Sequence, residues 1–203
     1  EGNKNEFKGK SSISLLSAQA TLEGPFYKGA WIVSGRRTYF DILLPKVLPD
    51  NIAANIPPYY FYDIQSHIFS DITSKDRLSI SYYAGIDDIF FDTFGLDGRW
   101  GNNTISGHWR RVFSERLVGN FLIANSKFRT MFGLGGDGGL VNDNIIDDQT
   151  ISGDFSWFKS SDATIKFGTQ FKILGFEYFS KFQDSVAFKI KNSPIEVGTY
   201  LKM

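Results

Sequence analysis

The amino-acid sequence predicts an all-β protein, an antiparallel up-and-down transmembrane β-barrel, and three observations carry that reading. Apolar and polar residues alternate with period two over long runs, and the connections between those runs alternate between short and long. Aromatic residues make up 16% of the chain, with 20 Phe and 9 Tyr. Strands that separate lipid from a wet lumen need one apolar and one polar face, short turns at one end, long loops at the other and aromatic girdles.

The first run, 11–23, and the second, 30–43, have strand composition, although Arg36 and Arg37 fall on opposite sides of the second and leave its faces open. In the third, 59–72, Tyr60, Tyr62, Ile64, Ile68 and Ile72 oppose Asp63, Gln65, His67 and Asp71. In 77–88, Leu78, Ile80, Tyr82, Ala84 and Ile86 oppose Arg77, Ser79, Ser81, Tyr83, Gly85 and Asp87. Helical spacing would scramble both sets. Runs 102–113 and 116–127 follow, the latter again with ambiguous faces. Next, 149–158 sets Ile151, Phe155 and Trp157 against Ser152, Asp154 and Ser156, and 163–179 sets Ile165, Phe167, Phe171 and Ile173 against Lys166, Gln170 and Lys172. Run 195–203 ends the series, and a further strand near 185–191 makes nine or ten.

Short connections at 23–29, 73–76, 114–115 and 159–162 alternate with long ones near 44–58, 89–101, 128–149 and 180–194, which read as external loops. By that rhythm Glu1–Gly9 ends an external loop and the first strand runs downward. An upward strand should precede it, so residues 1–203 read as one partial barrel domain that continues beyond both ends.

Equal numbers of acidic and basic side chains, 22 each, argue against nucleic acid as a partner, since phosphate binding needs a clustered positive excess. Without cysteine the chain has neither a disulfide framework nor a thiolate metal site. No charged segment followed by an apolar one marks a signal peptide near Glu1. The run from Ile86 to Phe94 is interrupted by Asp87, Asp88 and Asp92, far short of the ~20 apolar residues of a membrane helix. Any membrane crossing is therefore by strands.

The strings Ser14-Leu15-Leu16-Ser17, Thr21-Leu22-Glu23-Gly24-Pro25 and Trp31-Ile32-Val33-Ser34-Gly35-Arg36-Arg37-Thr38-Tyr39-Phe40-Asp41 resemble the start of the barrel in TonB-dependent outer-membrane receptors. The similarity continues through Pro57-Pro58-Tyr59-Tyr60-Phe61-Tyr62-Asp63, Ser74-Lys75-Asp76-Arg77-Leu78, Trp100-Gly101-Asn102-Asn103-Thr104 and Ile165-Lys166-Phe167-Gly168. It covers most of the chain and points to receptors that carry a carboxypeptidase-like domain and a plug ahead of the barrel. The resemblance implies an incomplete portion of a barrel of the 22-strand type, with Glu1 just after its first strand and the plug absent. It also implies a cell outer membrane location in a Gram-negative bacterium. The implied partners are outer-membrane lipid, the plug and remaining strands, TonB through the missing plug region and a surface lipoprotein. These strings describe strands and turns, so they identify a scaffold and leave the substrate open.

No Gly-x-Ser-x-Gly elbow or spaced Ser, His and Asp set occurs, so no catalytic residue and no enzyme activity is assigned. His67 and His108 lack the third and fourth ligands of a metal site and read as lumen-facing polar side chains, so no metal or cofactor is expected. Asp87-Asp88, Asp137 and Asp143-Asn144-Ile145-Ile146-Asp147-Asp148 offer calcium-type oxygens, yet miss the spacing of a 12-residue calcium loop and read as solvated external loop. Gly133–Gly139 lacks the Lys-Ser/Thr of a phosphate cradle and reads as a loop tip. The substrate-path or lumen-facing set is Gln65, His67, Arg77, His108, Arg110, Asp154, Lys166 and Gln170, joined by Gln19 and Lys172. Tyr59, Tyr60, Trp100, Trp109 and Trp157 are expected as membrane-interface aromatics.

Three functions follow. The first is the barrel of a receptor and transporter for TonB-dependent uptake of a scarce nutrient, such as a siderophore, vitamin or oligosaccharide. The second is a complete small barrel of 8–10 strands with a binding or structural role. The third is a soluble carbohydrate-binding β-sandwich.

Overall fold

A computed structural model describes residues 1–53, 58–91, 95–136, 138–160, 162–183 and 185–203. Its strands are β1 (Lys8–Ile13), β2 (Ser17–Phe26), β3 (Gly29–Thr38), β4 (Tyr59–Asp71), β5 (Asp76–Phe91), β6 (Leu96–Ser114), β7 (Leu117–Leu134), β8 (Leu140–Phe158), β9 (Thr164–Phe182), β10 (Ser185–Asn192) and β11 (Ile195–Lys202). Two helices, α1 (Phe40–Val47) and α2 (Asp50–Ala53), lie between β3 and β4.

From β1 to β10 each strand pairs antiparallel with the next, and β11 pairs with β9 beyond the end of β10. The up-and-down antiparallel order is as expected, but the sheet is open rather than a closed barrel. β10 and β11 are one ribbon in one register: Asn192 faces Phe176 and Ile195 faces Ile173, while the Leu174 amide donates to the Pro194 carbonyl at 2.9 Å. Pro194 has no N–H to return, which interrupts the ladder without turning the chain. The expected strands near 185–191 and 195–203 are therefore the two halves of the last ribbon.

Four expectations need correction. The run 11–23 is two strands, because the Ser14 hydroxyl accepts the Leu16 and Ser17 amides (3.2 and 3.1 Å) and closes a turn that period-two polarity conceals. Its first part, β1, supplies the upward strand that β2 calls for, and Glu1–Phe7 thereby lies at the end of the sheet where the short turns are, not in an external loop. The run 30–43 stops at Thr38; Ile42, Leu43 and Leu44 are consecutive rather than alternating, and Arg37 pairs with Asp41 at 2.9 Å in the first helical turn. The helices fill most of the described part of the expected 44–58 loop.

The loops expected at 89–101, 128–149 and 180–194 are mainly strand, since β5 reaches Phe91, β6 starts at Leu96, β7 and β8 meet across 135–139, and β9 reaches Phe182. Residues 54–57, 92–94, 137 and 184 of the expected loops lie outside the described residues. At the Gly133–Gly139 tip, Gly135 and Gly136 have φ of 93° and 64° and both donate to the Gly95 carbonyl. Positive φ and this close approach need glycine.

Residues paired across strands share a face, so the register assigns every side chain. One lateral row runs Trp31, Ile68, Ile80, Gly107, Ile123, Ile151, Phe171 and Val197. The next row, on the opposite face, runs Ile32, His67, Ser81, Ser106, Ala124, Thr150, Lys172 and Glu196. Among the described residues nothing covers the apolar face: Ile80 is 54% exposed, Ile123 61% and Val197 66%. Among the described residues only Ala30 and Phe69 are buried hydrophobics, and the accessible surface is 13389 Å². A compact monomer of 22.9 kDa would expose about 9,600 Å². The chain forms a single layer, not the two packed sheets of the soluble sandwich alternative.

The Ile173 and Ile195 pair flanks the Leu174 and Pro194 hydrogen bond, which makes it a non-hydrogen-bonded pair with Cα atoms ~4.5 Å apart, within disulfide reach. In this cysteine-free chain, Ile173→Cys with Ile195→Cys should oxidise to an intramolecular crosslink, detected by mass. Ile173→Cys with Thr199→Cys should not. Crosslinking of both pairs, or of neither, would show that β11 does not continue β10.

Candidate functional site

All eight residues of the expected lumen set lie on the polar face, as do Gln19 and Lys172. They spread over β4–β9 instead of converging on one point. Gln65 and His67 line a hollow of about 370 Å³ with Ser34, Ser81, Tyr83 and Thr104. His67 Nδ1 shares a hydrogen bond with the Ser81 hydroxyl at 2.8 Å, and Tyr83 lies over Gly85, where an added Cβ would meet its hydroxyl at 2.7 Å. The lining combines hydroxyl, amide and imidazole groups with the apolar surface of Ile32 and Tyr82.

Arg77 and Arg110 are register neighbours near the short turns and line a second hollow of about 370 Å³. Two guanidiniums side by side repel. Asp71 offsets this, accepting from Arg77 at 2.6 and 3.1 Å, and Glu1 pairs with the same Arg77 at 3.2 Å. Farther along, Asp154 accepts the Tyr200 hydroxyl at 2.7 Å above Gly168, and Lys172 pairs with Asp148 at 3.2 Å. Lys166 and Gln170 sit beside Ser156 and Ser152. His67 and His108 are separated by β5, about 10 Å across two strand spacings.

The acidic candidates also diverge. Asp87 accepts from Tyr59 on the polar face, whereas Asp88 takes Arg99 Nε at 2.6 Å on the apolar side. Asp143 faces Arg129, Asp147 faces Lys127, and all four residues lie within β7 and β8 rather than in a solvated loop. Among the described residues no group of His, Asp or Glu has the arrangement of a metal site; Asp137 lies outside them.

The expected interface aromatics divide. Tyr60, Trp109 and Trp157 are on the apolar face, but Tyr59 and Trp100 are on the polar one, because β4 and β6 place neighbours on opposite sides. Sequence reasoning missed the belt that Trp109 joins: its ring stacks on Phe121 at 4.9 Å, followed by Phe155 at 5.6 Å and Phe167 at 5.2 Å, with Phe113 beside them. Phe113 lies on that face by the same alternation as Trp109, beside a bulge between Val112 and Ser114. Trp109 also donates to Asp76, which accepts Arg111 as well.

Beyond this band, toward the end away from the short turns, polarity inverts. The formerly apolar face carries Asp88, Arg99, Lys127, Arg129, Asp143, Asp147, Glu177 and Lys189 as a collar of ion pairs, while Phe128, Ile146 and Phe176 form an apolar row on the other face. No family model, curated protein or solved structure matches this chain.

Tyr59 stands beyond the band, opposite Ile89, where burial and its hydrogen bond to Asp87 push the phenol up to about 12. A raised folded value means this contact stabilises the sheet fully below the ordinary tyrosine range and is lost as pH rises from about 10 toward 12. In an alkaline absorbance titration the highest-pH tyrosine component should disappear in Tyr59→Phe. Its persistence would remove Tyr59 from that assignment.

Proposed function

We propose that this chain is part of the wall of an outer-membrane β-barrel, in a TonB-dependent receptor that takes up a scarce nutrient. The observation that carries the reading is the uncovered apolar band on one face of a single-layer sheet whose other face is polar. Leu78–Ile86 and Ile165–Ile173 give it a height of about nine residues, the length of a tilted membrane strand. The aromatic belt from Trp109 to Phe167 borders the band on the side of the short turns, as a periplasmic girdle would. The quoted barrel strings supply the receptor family. The polar face, from Gln65 to Gln170, would line the lumen against a plug or along a solute path, without catalytic chemistry.

Two unpaired edges favour a larger barrel over a closed small one. β1 and the β10–β11 ribbon are exposed along their length, and β11 keeps the same alternation, Ile195, Val197 and Leu201 against Glu196, Tyr200 and Lys202. In lipid each unsatisfied backbone group costs several kcal/mol, so both edges need further strands.

Single cysteines in the product of the complete gene, folded into phospholipid vesicles, test this. Ile80→Cys, Ile105→Cys and Ile123→Cys should resist a charged thiol reagent, whereas Ser81→Cys and Thr104→Cys should react. Equal labelling of both sets in sealed vesicles would refute the membrane assignment. On the same reading Tyr82→Arg should weaken folding into lipid by about 2–4 kcal/mol and Ser81→Arg by much less. Equal losses in urea titrations would mean that the two faces are not in different solvents.

A further inference from the structure

Above the apolar band, on the same face, β4 to β7 line a groove of about 500 Å³. Its floor is Ile86, Gly101 and Met131, and its rim carries Arg99, Lys127 and Arg129. The three cations come together because Arg99 is the register neighbour of Met131, Gly101 of Arg129 and Asn103 of Lys127. Each has a carboxylate partner, yet the cations are the outer members. Side-chain exposure is 56% for Arg99 against 10% for Asp88, 57% for Arg129 against 19% for Asp143, and 54% for Lys127 against 41% for Asp147. Asp143 engages only Nε and one terminal nitrogen of Arg129, and a guanidinium has five N–H donors.

Below the groove the apolar face has a second hollow of about 430 Å³ around Gly107, walled by Ile80, Ile105, Ile123 and Ile151. Gly101 and Gly107 leave β6 without side chains at two levels about 20 Å apart on this face. An ion such as free phosphate would use only the rim. A molecule with an anionic head and a long hydrocarbon tail uses the rim and both hollows.

We propose that this surface holds a phosphate-bearing membrane lipid, its headgroup phosphate against Arg99, Lys127 and Arg129 and an acyl chain running down toward Gly107. Guanidinium forks match phosphate oxygens, and Asp88 and Asp143, each less exposed than its partner, hold the two arginines in place. The inference rests on the membrane reading, so its test separates the two.

The product of the complete gene is folded into phosphatidylcholine nanodiscs doped with bis-phosphorylated lipid A. Heat-modifiable mobility reports insertion, and native mass spectrometry reports retained lipid A. The expected result is retention by the wild type, falling at least about tenfold in the Arg99→Gln, Lys127→Gln, Arg129→Gln variant, while Arg110→Gln and Lys166→Gln on the polar face leave it unchanged. Should the triple variant fail to insert, Asp147→Asn decides, since removing this exposed acid beside Lys127 should raise retention. Undiminished retention by the triple variant, no rise in the acid variant, equal retention of dephosphorylated lipid A, or complete displacement by inorganic phosphate each overturns the lipid site while leaving insertion intact. Failure of the wild type to insert overturns both readings.

Discussion

The antiparallel hydrogen-bond ladder from β1 to β11 carries this structure, because a one-layer sheet has almost nothing else to hold it. With two buried hydrophobics among the described residues, the usual stabilisation from apolar burial is missing in water. What remains is net hydrogen bonding of about 0.5–1.5 kcal/mol per bond and cross-strand pairs worth roughly 0.2–1 kcal/mol each. Both faces must then find their own solvent. A row such as Ile68, Ile80, Ile123 and Ile151 demands an apolar one, and His67, Ser81 and Thr150 on the other side demand water or polar partners.

Strand length gives that demand a vertical order. β6, β8 and β9 have 19 residues each, about 60 Å of extended chain, whereas the lipid-facing band of an outer-membrane barrel is ~25 Å tall. A strand that long cannot keep one face apolar throughout if part of it stands in water. The collar from Asp88 to Lys189 is the response, with Arg99 on Asp88 and Arg129 on Asp143 tying neighbouring strands where lipid would no longer cover them. The apolar residues move to the opposite face at Phe128, Ile146 and Phe176.

This inversion explains what the sequence did and did not disclose. Within the band, Leu78 to Ile86 and Ile165 to Ile173 are legible, since one apolar face against one polar face is what period two detects. Above it, Asp97-Gly98-Arg99-Trp100-Gly101 has charge on one side and glycine or aromatic on the other, a pattern that period two does not distinguish from loop. Gln65 to Gln170 fall on one face because each of them lies in a run with clear alternation. The aromatic belt is not legible in this way, because it depends on which Phe of β6, β7, β8 and β9 are register neighbours, a tertiary fact. Tyr59 and Trp100 were grouped with Tyr60 and Trp109 by residue type alone, which ignores the side of the strand.

Register is where these constraints meet, since a slip of one residue would exchange every apolar side chain for a polar one. Strong alternation fixes it inside the band, and above the band the inverted row of Phe128, Ile146 and Phe176 against charge does the same. There a diagonal ion pair adds to it: Arg129 reaches Asp143 while its direct neighbour is Ile145, so a shifted β8 would set Arg129 against other partners. Bulges at Val112 to Ser114 and at Val186 to Phe188 absorb local mismatch near strand ends. The collar proposed to offer cations to a lipid headgroup is thus also the device that keeps long strands aligned. Neutralising its carboxylates therefore trades alignment for surface charge, and of these the exposed Asp147, 3.8 Å from Lys127, holds its strand least tightly.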